Sequence, residues 1–263
     1  MQMQQHKNIG EQERERVRQL IRSSLGTELA ACKDLHAVVT AVVARRTSEL
    51  SVPAGTAAGP AVMFLFGKIW RSFNAIRILA QEGYGPDAMV VARSLTNACI
   101  DLAYIAQKDS EERALQWGAV GMKAQREYLR QFDEKPEGAR EVSWAVVEAR
   151  AGRWKGLNIR DRARCVALED AYNIAYKAGS SPEHSDSWSS TDYLEETPEG
   201  GISFQIGPSE IGVVRALSAA CWGLSQAFLR WCRFFEFDED NAAKRVMEIA
   251  HQFSQPREEK KGR

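Results

Sequence analysis

The sequence predicts an all-α fold: a bundle of about seven helices, with one small β-hairpin allowed near residues 192–206. Three observations predict it. Apolar residues recur at three- and four-residue steps through most of the chain. Gly, Pro and Ser collect in a few short clusters between those runs. Only Tyr193-Leu194 and residues 202–206, around the turn-rich stretch 195–201, carry a strand signal.

The elements follow in order. Residues 11–50 read as helix, with Val17, Leu20, Ile21, Leu25, Leu29, Leu35, Val38 and Val42 on one face and Gly26 as the point where it bends or divides. Residues 51–60 are rich in Gly, Ala and Pro and read as a linker. A helix over 60–82 has Val62, Phe66, Ile69, Phe73 and Ile76 as its inner stripe, and Gly83 is placed to cap it. The next helix, 86–108, is apolar on most sides, as a central bundle helix is. Asp109 or Ser110 caps a helix that runs to 132, Lys135-Pro136 breaks the chain, and a helix over 137–150 follows. Residues 154–159 read as a loop and 161–178 as one or two short helices. Residues 179–190 carry Gly, Pro and six Ser and read as a break in regular helix. Ser209 caps a helix to 235, and Asp238 caps a last one over 239–253. The organisation expected is an N-terminal helical region (1–50), a main bundle (60–254) and a disordered tail (255–263).

Composition excludes some function classes. Lys+Arg and Asp+Glu both number 35 in 263 residues, a balance unlike the basic excess of proteins that coat nucleic acid. The five cysteines are widely spaced without a Cys-x-x-Cys, which fits reduced, buried thiols. The first ten residues lack an apolar signal-peptide core, and the most apolar run, 216–229, is too short to span a bilayer. A cytoplasmic protein that needs no membrane is the expectation. No metal-ligand, phosphate-loop or nucleophile-elbow motif occurs, so no metal and no cofactor are expected.

Three features have the residue types for chemistry or binding. Arg93, Asn97 and Asp101 lie four apart on the apolar helix, where burial of charge demands partners. They either tie this helix to its neighbours or line a site. The run 172–186 gathers Tyr176, Ser180 and His184, and His is the side chain best suited to proton transfer near neutral pH; a loop histidine that bonds locally is the plainer reading. The aromatic run from Trp222 to Phe237 has the spacing of a packed helix face.

The segment 83–97, with Ala92-Arg93-Ser94-Leu95, followed by 101–104 and by Tyr176, Ser180 and His184, resembles a bacterial family of helical proteins with no assigned function. The resemblance spans roughly residues 64–187. The same Tyr–Ser–His spacing is similar to the HEPN helical bundles, many of them metal-independent RNases of toxin and anti-phage systems. That likeness implies His184 as general acid or base, with Ser180 at the polar position of the motif. The Arg position is occupied by Gly179, so Arg93 of the neighbouring helix would have to supply the positive charge. Two expectations result. The preferred one is a non-catalytic sensor or partner- and ligand-binding module in a defence or stress response, with Arg93, Asn97, Asp101 and His184 as a buried polar network or small-ligand pocket and Tyr176 and Ser180 beside them. The alternative is a HEPN-like ribonuclease acting through His184 and Arg93. A homodimer, RNA or a small ligand are the partners these readings allow.

Overall fold

The computed structural model describes residues 2–50, 52–132, 143–184, 193–197, 200–204 and 207–253. The fold is predominantly helical, as the periodicity predicts, but it contains more helices than seven. In chain order these are α1 (Gln2–Ser24), α2 (Gly26–Arg46), α3 (Ala58–Gln81), α4 (Gly85–Gln107), α5 (Ser110–Arg130), α6 (Trp144–Gly156), α7 (Ile159–Cys165) and α8 (Glu169–Ala171). A π-helical segment, Tyr172–Tyr176, runs on into α9 (Lys177–His184). Then come strands β1 (Leu194–Glu196) and β2 (Ile202–Phe204), α10 (Val213–Phe234) and α11 (Asp240–Gln252). The expected hairpin is present: β1 and β2 pair antiparallel, with Leu194 opposite Phe204.

Helix α4 is the axis of the bundle, packed by α3 and α10 and then by α9, α7 and α5. It is long and apolar enough to cross a membrane by length and composition, yet 72% of that window is buried inside the protein. The run that the sequence places on an inner stripe of α3 is buried as predicted: Val62, Ile69, Phe73 and Ile76 are at or near zero exposure. The aromatic run of α10 serves packing too, with Trp231 buried and stacked on Phe66 at 5.0 Å. Val17, Ile21 and Leu25 of the N-terminal pair belong to the same core. The α5–α6 hairpin joins that core through Ala114 and Trp154 and has a small second cluster of its own, Ala119, Val147 and Ala151.

Backbone and polar contacts fix how the helices meet. Gly83 adopts φ +82° and closes α3, with the Tyr84 N–H bonded to the Leu79 carbonyl at 2.9 Å. At Gly85 a Cβ would fall on the Ile211 carbonyl, so only glycine lets the start of α4 touch the segment leading into α10. The Glu111 carboxylate of α5 accepts from the N–H groups of Ala57 and Ala58 and caps α3 from outside. Glu239 accepts from Arg45 at 2.6 Å and Arg46 at 2.8 Å, joining the start of α11 to the end of α2. Cys32 and Cys221 meet at 3.1 Å between α2 and α10; Cys99 and Cys232 are also buried, and Cys165 is exposed.

Several boundaries correct the sequence reading. The first helix does divide beside Gly26, at Leu25, as expected; the boundaries that follow differ. Helix α6 continues through Trp154 to Gly156, where a loop is expected, because Trp154 packs edge-on against Tyr104 of α4. Residues 179–184 are helical despite their Gly and Pro, since packing on α4 overrides local propensity. Helix α10 starts at Val213, not at Ser209; the Ser209 hydroxyl instead accepts from the Ile211 N–H in a turn. The expected break at 135–136, the stretch 185–190 and the tail 255–263 lie outside the described residues.

Candidate functional site

The seam between α4 and the π-helical segment brings Arg93 and Tyr176 together. Arg93 Nη2 donates to the Tyr176 hydroxyl at 3.0 Å, and its guanidinium lies 4.6 Å from that ring's centre. Tyr176 in turn stacks on Tyr172 at 5.0 Å. π-Helical turns insert one extra residue and re-aim the side chains after them; here the turn holds both tyrosines. Just beyond it, Gly179 is pressed onto α4: a Cβ there would lie 2.5 Å from the Met89 carbonyl and 2.7 Å from Arg93 Cβ. The Ser180 hydroxyl bonds back to the Tyr176 carbonyl at 2.8 Å and so satisfies its own helix. Asn97 is half-buried on the same side of α4. His184 ends α9; its side chain lies outside the described residues.

Asp101 belongs to a different contact. It turns to Arg162 of α7, whose Nε donates at 3.0 Å, and both side chains are nearly fully buried. Arg162 also donates to the Trp154 and Leu157 carbonyls and lies over the Trp154 ring. Trp154 contacts Tyr104, and Arg113 covers the other end of that pair at 3.8 Å from the Tyr104 ring centre. Burial pushes the Asp101 pKa up to about 6, against the downward pull of Arg162 and, more weakly, Lys68. The Arg93–Asn97–Asp101 stripe is therefore not one network: its top meets the tyrosines and its bottom locks α7 to α4. Arg162, the partner of Asp101, is a residue that sequence reasoning did not single out. The spacing that joins them, 61 residues, carries no local signal.

A larger concavity than this seam offers lies elsewhere, on the outer side of α3. A groove of about 750 Å³ runs between the end of α2 and the outer face of α3. Its floor is apolar: Val43 and Leu50 on one side, Phe66 and Trp70 on the other, Trp231 beneath. Trp70 is held by Phe66 and His36, both edge-on, at 6.1 and 5.6 Å. Burial, and then the charge of Arg77, lower the His36 pKa and so disfavour its charged form. Met63 and Phe64 stand at the lip, 37% and 59% exposed. A second groove of about 410 Å³, between α3, α5 and α6, shares Phe64 as a wall and is lined by Trp117, Met122 and Val146. Phe64 touches Trp117 at 5.6 Å. The two grooves thus meet at Phe64 on the outer side of α3.

Two further features distinguish the larger groove. Lys68 and Arg71 are exposed along it, and neither makes a hydrogen bond or ion pair among the described residues. Gly67 lies between them and Phe64, in mid-helix, and a Cβ on it would meet nothing within 4 Å. Glycine in a helix interior costs roughly 1 kcal/mol relative to alanine, and no neighbour within the fold requires it here. The sequence signal for this face is Met63-Phe64 and Gly67 lying off the inner stripe of α3.

Among the described residues no group of three or more His, Cys, Asp or Glu is placed to hold a metal ion. A family described as "Family of unknown function (DUF5677)" matches residues 60–202, the stretch from α3 to the start of β2. No curated protein and no solved structure matches the chain.

Proposed function

The chain belongs to the DUF5677 family of unknown function, and on that premise we propose that it is a non-catalytic binding module whose working surface is the apolar groove between α2 and α3. The observation that carries this reading is the contrast between the two candidate regions. Three of the polar residues that suggest chemistry are engaged in helix contacts, Asp101 with Arg162, Arg93 with Tyr176 and Ser180 with its own helix, and Gly179 is the seat where α9 meets α4. The groove, by contrast, exposes Phe64 and Met63 to solvent at an energetic cost that binding would recover. A sensor or adaptor in a cytoplasmic stress or defence response is the setting we assign, on the strength of the sequence resemblance. The test is an apolar fluorescent dye: its emission rises on the folded chain, and Phe64→Asp removes most of the rise while leaving the melting temperature within about 2 °C, as surface changes do. Equal dye emission from the wild type and the variant would refute the groove.

A second reading, the metal-independent ribonuclease, is favoured by one contact. Arg93 of α4 does meet Tyr176, which lies on the segment that runs into α9 and ends at His184. In that reading Arg93 stabilises phosphate charge and His184 moves the proton; its signature is RNA cleavage that depends on His184.

A further inference from the structure

Resting on the groove reading above, we propose that the groove's occupant is an amphipathic helix with acidic flanks from a partner protein. Length comes first. Met63 and Ser72, both lining the groove, are nine residues apart on α3, about 14 Å at 1.5 Å per residue. A helix that docks through anchors at i, i+3, i+4 and i+7 spans about 10.5 Å between the outer two. The floor is thus long enough for one such set.

Shape comes second. Gly67 leaves a gap on the α3 surface midway along that length, bounded by Phe64, Lys68 and Arg71. Small residues at helix–helix contacts let the two backbones approach closely. A glycine with open space above it inside its own fold is what such an approach requires from one side.

Charge decides between occupants. Lys68 and Arg71 flank the apolar floor without an ion-pair partner among the described residues. Glu49, near the groove's other end, is already neutralised by Arg46 at 2.5 Å. The rim is therefore net positive over an apolar floor. A second copy of this chain would bring Lys68 and Arg71 towards themselves across a two-fold axis, which is repulsive. Two cations are too few for a nucleic-acid backbone track, and the chain as a whole has no net positive charge. An acidic flank on an apolar helix satisfies both the floor and the rim.

The experiment is fluorescence anisotropy with the full chain and two labelled 16-residue helical peptides. They share one leucine face and differ only in flanks, all Glu in one and all Lys in the other. The Glu peptide binds at least tenfold more tightly than the Lys peptide, and its affinity falls as salt rises. Lys68→Glu with Arg71→Glu reverses the preference. Gly67→Leu weakens the Glu peptide at least tenfold while the melting temperature stays level or rises. Equal binding of both peptides, lost in Gly67→Leu, would overturn the acidic partner while leaving the groove as a binding surface. Binding of neither peptide, or a groove occupied in a dimer that Gly67→Leu dissociates, would overturn the proposal outright; the dye measurement reports separately on whether the groove binds at all.

Discussion

Replacing Arg162 with methionine tests the contact that locks α7 onto the central helix. Methionine keeps most of the side-chain volume but removes the charge. Asp101 then stays buried at 5% exposure without its partner, and the Trp154 and Leu157 carbonyls lose a donor. Removing one member of a buried, hydrogen-bonded ion pair costs about 3–5 kcal/mol, because the charge left behind is uncompensated. For a chain of this size that lowers the melting temperature on the order of 10 °C. The loss should depend on pH. Burial already pushes Asp101 up to about 6, and Arg162 pulls it down. Without Arg162 the folded-state pKa rises further above the unfolded carboxyl. A group whose folded pKa is raised binds its proton more tightly in the folded state, so R162M gains stability as pH falls through that folded pKa. The gap to wild type is therefore largest near pH 7.5 and narrows towards pH 5. Adding Asp101→Leu to R162M should recover most of the loss, since apolar replacement of both partners is commonly neutral. Thermal melts at the two pH values read this directly. A loss below about 1 kcal/mol at pH 7.5, or a gap that does not narrow on acidification, would refute the burial argument.

Two other outcomes follow from the same geometry. Gly179→Ala, which by helix propensity alone would stabilise by about 1 kcal/mol, destabilises by about 1–3 kcal/mol, because its methyl collides with the Met89 carbonyl and Arg93; urea midpoints show the sign. Burial raises the Glu239 pKa, but hydrogen bonds from Arg45 and Arg46 outweigh it and hold the carboxyl below its usual value of 4.5. Its contribution is thus present above that value and lost as pH falls through the lowered folded pKa, so Glu239→Gln gives a flatter acid-unfolding limb than wild type.

The legible part of the fold was the part written in local periodicity. The stripe from Val62 to Ile76, the apolar sweep of α4 and the aromatic spacing of α10 each announce a buried face, and Gly83 announces the end of α3. The hairpin was legible from its turn-rich centre. What could not be read was decided by tertiary contact. Residues 179–184 look like a break, and α4 makes them a helix. Asp101 advertises a need for a partner but not which residue supplies it; Arg162 does so from a helix with no other distinguishing mark. Arg93 and Tyr176 were both singled out and do meet, yet nothing local separates Arg93 from Asn97 and Asp101 on the same stripe. The groove left the faintest trace, because exposed apolar residues on an otherwise polar helix face are common one at a time. Their juxtaposition with Gly67, Lys68 and Arg71 exists only after α2 and α10 have packed against α3.

The central claim, a binding module and not a nuclease, is tested most directly by incubating the purified chain with RNA in EDTA beside its His184→Ala variant. The account predicts that both leave the RNA intact. Cleavage by the wild type that disappears in the variant would contradict it and make the Arg93–Tyr176 seam an active site.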